Sequence, residues 1–229
     1  FFHCTTPDDA GVYTGESSSW HGTQVSGIIA AVADNGVGMA GAARNVRVLP
    51  VRVLAKCGGW DSDITAGMLW AAGIHVAGVP DNTTPAKVLN LSLGGAGACS
   101  PLYTDIVGQV NARGAVIVAS AGNSAGHAVS EPANCAGVIG VAGIRHQGDK
   151  VGFSDIGPEI SLSAPAGNCV NTSLTQPCLY PILTSSNSGA FNPVAGAGGA
   201  IYTDAFNATL GTSFSAPLVA ATAAMMMSV

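Results

Sequence analysis

From Val46 to Val118 the chain alternates short β-rich apolar runs with longer stretches whose apolar residues recur at helical spacing. Val46-Arg47-Val48-Leu49-Pro50-Val51-Arg52-Val53-Leu54 reads as a strand. Asp61 to Ile74, behind its Asp/Ser start, reads as a helix. Lys87-Val88-Leu89-Asn90-Leu91-Ser92-Leu93 is the next strand, and Pro101 to Arg113 a helix that Gly114 ends. Ala115 to Ala119 and Val138 to Ala142 follow as strands, His21 to Asp34 is an earlier helix, and Thr212 opens a last one. Strand–helix–strand repetition with near-continuous apolar strands predicts an α/β fold: a mainly parallel sheet with helices on both faces. Ala164 to Ala205 is rich in Gly, Ser, Asn and Pro and is expected to be loop. No internal repeat or linker divides the chain, so residues 1–229 are expected to form a single domain.

Composition sharpens this picture. The 229 residues are 48% hydrophobic and only 9% charged, with 31 Gly. Mean hydropathy is +0.39, yet the apolar runs are short and interrupted, so a membrane span is rejected. Small residues on tightly packed elements account for the apolar balance. Net charge is −5 and no Lys/Arg run exists, which excludes nucleic acid and anionic membrane surfaces as partners. The six cysteines, Cys4, Cys57, Cys99, Cys135, Cys169 and Cys178, show no CxxC or Cys/His metal spacing. An even count at long spacings favours disulfides and an oxidising compartment over reduced thiols, without fixing the pairing.

In a doubly wound sheet, functional residues gather where strands end and helices begin. His21 opens one helix, and Gly211-Thr212-Ser213 opens the last. Ser92-Leu93-Gly94-Gly95 and Ser120-Ala121-Gly122-Asn123 each follow a strand. Singly, each has an ordinary reading: His21 a cap or packed ring, Ser213 an N-cap, Asn123 a turn former. Together they bring a base, a hydroxyl nucleophile and a neutral amide donor to one sheet edge. Acyl transfer needs that set. The order excludes a lipase-type elbow, because the histidine comes first and the serine motif lacks its second glycine.

These residues carry a family resemblance. His21-Gly22-Thr23, Asn90-Leu91-Ser92-Leu93-Gly94-Gly95, Ala119-Ser120-Ala121-Gly122-Asn123 and Gly211-Thr212-Ser213-Phe214-Ser215-Ala216-Pro217 stand in the order and spacing of the subtilisin-like serine proteases. Nearly the whole chain is covered. The resemblance implies the three-layer subtilisin-like fold and a secreted serine endopeptidase acting as a monomer on polypeptides through an acyl-enzyme. Ser213 would be the nucleophile, His21 the general base and acid, and Asn123 the oxyanion donor. Ser92-Leu93-Gly94 would pair with an extended substrate. Gly94-Gly95 and Ser120-Ala121-Gly122 would wall the pocket for the residue before the scissile bond, and Glu131 could place a charge nearby that favours a basic residue. The alternative is a non-catalytic peptide-binding domain or an inactive fragment. Gln24 and Leu218 stand where many relatives have histidine, at positions that do no chemistry.

The same resemblance suggests the pairs Cys57–Cys99, Cys135–Cys169 and Cys4–Cys178. It implies no catalytic cofactor. Structural calcium is possible, but the acidic clusters Asp8/Asp9 and Asp61/Asp63 form no ligand pattern. One triad member is not found. The family's aspartate ends a buried strand, whereas Asp8 and Asp9 follow Thr5-Thr6-Pro7 and read as a turn. Asp34, along the His21 helix, would lie about 20 Å away by helical rise. Met225 to Val229 reads as helix without a C-cap. The chain is therefore expected to lack an N-terminal strand and a C-terminal end, and to have little proteolytic activity alone.

Overall fold

The computed structural model describes residues 17–55, 58–168, 180–204 and 210–228. Helices α1 (His21–Ala30), α2 (Asp61–Ala71), α3 (Pro101–Ala112) and α4 (Thr212–Met226) surround strands β1 (Val88–Leu91), β2 (Val116–Ser120), β3 (Val138–Ile144) and β4 (Ile160–Pro165). These four strands form one parallel sheet in the order β1-β2-β3-β4. A separate antiparallel hairpin joins β5 (Thr184–Asn187) to β6 (Ala200–Thr203).

The sheet is covered on both faces, which explains the apolar strands. In β2, Ile117 and Ala119 face a cluster with Ile64 and Met68 of α2 and Tyr103, Ile106 and Val110 of α3. Val118, between them, faces Val141, Ala164 and the small residues Ala216 and Ala220 of α4. Alanines along α4 let that helix lie close to the sheet. Helix α3 follows its sequence signals closely: Ser100 Oγ accepts the Tyr103 N–H, Pro101 occupies the first turn, and Gly114 (φ 75°) ends it. Among the described residues, no helix is long and apolar enough to cross a membrane.

Three expectations change. The first helix stops at Ala30, not Asp34; Ala31 leaves helical geometry at ψ 135°, and Asp34 sits at φ 61°, paired with Arg44 at 3.0 Å. Residues 46–54 form no strand. Val51 and Val53 do pack beside α2 at Gly67, but alternation only chooses a face, and among the described residues no neighbouring edge pairs with this segment. The region taken as loop contains the end of β4 and all of β5 and β6. There the backbone ladder makes the strand while the side chains, Thr184-Ser185-Ser186-Asn187, are polar.

The cysteine pairing also differs. Cys99 is bonded to Cys135, so neither Cys57–Cys99 nor Cys135–Cys169 forms. Gly95 and Glu131 exchange backbone hydrogen bonds at 2.9 and 3.0 Å, and Asn134 Nδ2 donates to Gly97 O at 2.8 Å. These contacts zip the loop after β1 to the loop after β2 and set the two cysteines side by side. Cys4, Cys57, Cys169 and Cys178 lie outside the described residues, and with them the Cys4–Cys178 pair.

Candidate active site

Ser213 is the half-exposed residue of a buried turn: Thr212, Phe214, Ser215 and Ala216 around it are all buried. Gly211 (φ 144°) delivers the chain into α4 in a conformation that other residues rarely adopt. Pro217 then removes the helical donor that would have bonded Ser213 O. Ser92 Oγ supplies it instead, at 2.7 Å, and accepts in turn from Asn90 Nδ2 at 2.9 Å. The Ser213 hydroxyl donates to Ser92 O at 3.4 Å. The end of β1 and the start of α4 are thus tied at the proposed nucleophile. As the second residue of α4, Ser213 has an N–H with no intrahelical acceptor.

Asn123 comes from the end of β2. Its Oδ1 accepts two hydrogen bonds, from Thr212 N–H at 2.9 Å and Thr212 Oγ1 at 3.0 Å. Two donors on one side fix the amide's orientation and leave Nδ2 as the free donor beside the α4 start. Gly122 (φ 112°) donates its N–H to Thr212 Oγ1 at 3.2 Å.

His21 is the first residue of α1, aimed by Trp20 in a left-handed conformation (φ 54°, ψ 20°). The Trp20 indole donates to Gly189 O at 2.7 Å, so the β5–β6 loop holds the approach to the histidine. The imidazole meets the Phe214 ring edge to face, centroids 5.9 Å apart, which sets α1 against the residue that follows Ser213. Among the described residues no carboxylate pairs with this ring. Burial, the larger cause, lowers its pKa from 6.5. The neutral ring is therefore favoured by folding. The unfolded chain binds more protons as pH falls through 6.5, so this contribution to stability is present above that value and lost below it. Without a carboxylate on the ring, an NMR titration is expected to give His21 a midpoint below 6.5. A midpoint above it would mean that a carboxylate lies on the ring.

Comparison with known proteins gives the family. The model of the subtilase family matches residues 1–229. The chain belongs to the subtilase family. It is 42% identical to an extracellular basic protease of Dichelobacter nodosus, over 92% of this chain and 32% of that protein. It is 43% identical to an extracellular protease of Xanthomonas campestris, over 93% and 33% respectively. A solved protease structure from Pseudoalteromonas arctica superimposes with a TM-score of 0.85 at 39% identity, over 98% of this chain and 63% of the other. The chain thus spans about a third of the length of those two curated relatives.

Within this subtilase, Gly94 approaches the loop after β2 closely: a Cβ there would lie 2.8 Å from Glu131 O. Leu93, between Ser92 and Gly94, packs on the core cluster under β1. Gly95 differs in that both its backbone groups are taken by Glu131. Ser120 and Ala121 are buried, and Ala121 is anchored through its N–H on Val141 O. The Glu131 carboxylate turns to the start of α3, where Oε2 accepts the Ser100 N–H at 3.0 Å. Asp61 accepts the Tyr103 hydroxyl at 3.1 Å, and among the described residues no group of His, Cys, Asp or Glu forms a metal cluster. Asp8 and Asp9 are outside them. Sequence reasoning missed Thr212, the partner of Asn123; the signal available was its place between Gly211 and Ser213.

Proposed function

We propose that the whole protein is a secreted serine endopeptidase that cleaves polypeptides through an acyl-enzyme. The observation that carries this reading is the orientation of Asn123: Thr212 occupies its oxygen, and its Nδ2 is left beside the helix start where Ser213 stands. His21 takes the Ser213 proton as Oγ bonds to the substrate carbonyl carbon, and the carbonyl π electrons move onto oxygen. Asn123 Nδ2 and the Ser213 N–H stabilise that oxyanion. When it collapses, the C–N bond breaks and His21 returns the proton to the leaving amine. Water repeats the sequence on the acyl-enzyme. Ser92, Leu93 and Gly94 bind the substrate backbone as an added strand, and Gly94 with Gly122 leaves room for the side chain before the cut bond. The carboxylate that orients His21 comes from outside the described residues. Extracellular relatives and the Cys99–Cys135 bond support secretion.

The test is a peptide library incubated with the protein as it occurs, read by mass spectrometry for new N-termini. Cleavage is expected at many sequences, since recognition is mainly through the backbone. Peptides retained intact would instead support a non-catalytic binding domain. No enrichment of Lys or Arg before the cut is expected, because Glu131 already serves Ser100.

A further inference from the structure

Asp155 is fully buried, and among the described residues no cation pairs with it. Lys150, the nearby cation, places its ammonium on the carbonyls of Val151, Gly152 and Ser154. Burying a carboxylate without a counter-ion is expensive unless hydrogen bonds compensate. Its Oδ1 accepts Ser124 N–H at 2.8 Å and His127 N–H at 3.1 Å, while Oδ2 has no partner. Those two amides lie on either side of Ala125 (φ 61°) and Gly126 (φ 90°), a tight left-handed turn directly after Asn123. The backbone adds three more ties between the same segments: Asp155 N–H to Gly122 O, Ala125 N–H to Phe153 O, and Ile156 N–H to His127 O. Asp155 itself is held from behind, because Ser154 Oγ donates to its carbonyl and accepts the Gly143 N–H of β3. Oδ2 fills the space where a Cβ on Gly122 would be, beside Ser130 Oγ. Both residues flanking Asn123 are therefore held by Asp155, Gly122 through the Asp155 backbone N–H and Ser124 through the carboxylate.

We propose that Asp155 is the positioning residue of the oxyanion donor: its carboxylate clamps the Gly122–His127 loop and so holds Asn123 Nδ2 at the α4 start, without touching substrate. The proposal rests on Asn123 acting as that donor. It makes Oδ1 the working atom and Oδ2 a spacer. Asp155→Asn, which keeps Oδ1 and places an NH₂ beside Ser130, is then tolerated, whereas Asp155→Ala is not.

Two measurements on the full protein decide it. Amide hydrogen exchange reads the clamp directly. A peptidyl boronic acid reads the oxyanion site, since Ser213 Oγ bonds to boron as its proton passes to His21, giving a tetrahedral adduct. The unreactive amide of the same peptide reads ground-state binding. For Asp155→Ala, Ser124 and His127 are expected to lose protection and the boronate to bind about tenfold more weakly or worse, with the amide unchanged within about twofold. Asp155→Asn should restore both, and Asp155→Ala should add nothing in an Asn123→Ala background. If Asp155→Ala does not fold, Asp155→Ser, whose hydroxyl is too short for both amides, takes its place with the same expectations. Unchanged protection, a parallel loss for boronate and amide, or full additivity with Asn123→Ala would each overturn the proposal. If wild-type protein ignores the boronate, the peptidase reading fails and the positioning role with it, whereas the exchange data still show whether the clamp exists.

Discussion

Replacing Ser213 by Ala is expected to abolish labelling by a fluorophosphonate probe that modifies the wild-type protein at this residue. The selectivity follows from what the neighbouring hydroxyls are doing. Ser215 is buried with its Oγ on Ala164 O and Pro165 O, Ser92 Oγ is spent on Ser213 O, and Ser120 is buried. Ser213 is half-exposed with its Oγ not spent on holding the fold's helix start, its neighbour Phe214 packs on His21, and its N–H has no intrahelical acceptor. Attack on phosphorus needs all three, because an ordinary serine hydroxyl is a weak nucleophile. In subtilisin, a member of the same family, loss of the nucleophile lowers kcat by about 2 × 10⁶ and loss of the orienting aspartate by about 3 × 10⁴. Those figures are carried over from that enzyme. They imply that poor orientation of His21 would slow labelling without moving it to another residue. Mass spectrometry of the labelled peptide checks this. Label persisting in Ser213→Ala would place the nucleophile elsewhere, and a wild-type chain that never reacts would favour the peptide-binding alternative.

The parts of this fold that were legible in sequence are those whose signals are local. Val116-Ile117-Val118 is apolar on both faces because it lies between two buried layers, and α3 carries its cap, its first-turn proline and its terminating glycine in order. Residues 46–54 show the limit. Val51 and Val53 do pack on the core, but a strand also needs a partner edge, which no periodicity reveals. Strand β5 shows the opposite case, having the ladder without the apolar pattern. The Cys99–Cys135 pairing depended on the Gly95–Glu131 bridge, a contact between two loops. The site divides similarly. His21, Asn123 and Ser213 stand at element ends, where motifs are visible. Thr212 and Asp155 act through contacts 89 and 31 residues distant in sequence, so only the folded chain shows them.

Asn123→Ala is expected to lower kcat by about 10²–10³ with little change in KM, a magnitude that belongs to the oxyanion asparagine of subtilisin. The reason for a kcat effect is geometric. The amide is not free to follow the ground-state carbonyl, because Thr212 holds its oxygen through both N–H and Oγ1. A donor fixed in advance serves the position that the oxygen reaches as charge develops, so its loss falls on the transition state. The substitution also leaves Thr212 N–H without its acceptor, which should destabilise the fold by about 1 kcal/mol. A thermal melt separates that loss from the kinetic one. Thr212→Val keeps the N–H but removes Oγ1, which donates to Asn123 Oδ1 and accepts the Gly122 N–H. It should loosen the amide and lower kcat by about tenfold, and it should do nothing further once Asn123 is Ala. If KM rises instead while kcat holds, Asn123 binds substrate and transition state alike. The free Nδ2 beside Gly211 would then be a binding contact, and catalysis would rest on the Ser213 N–H alone.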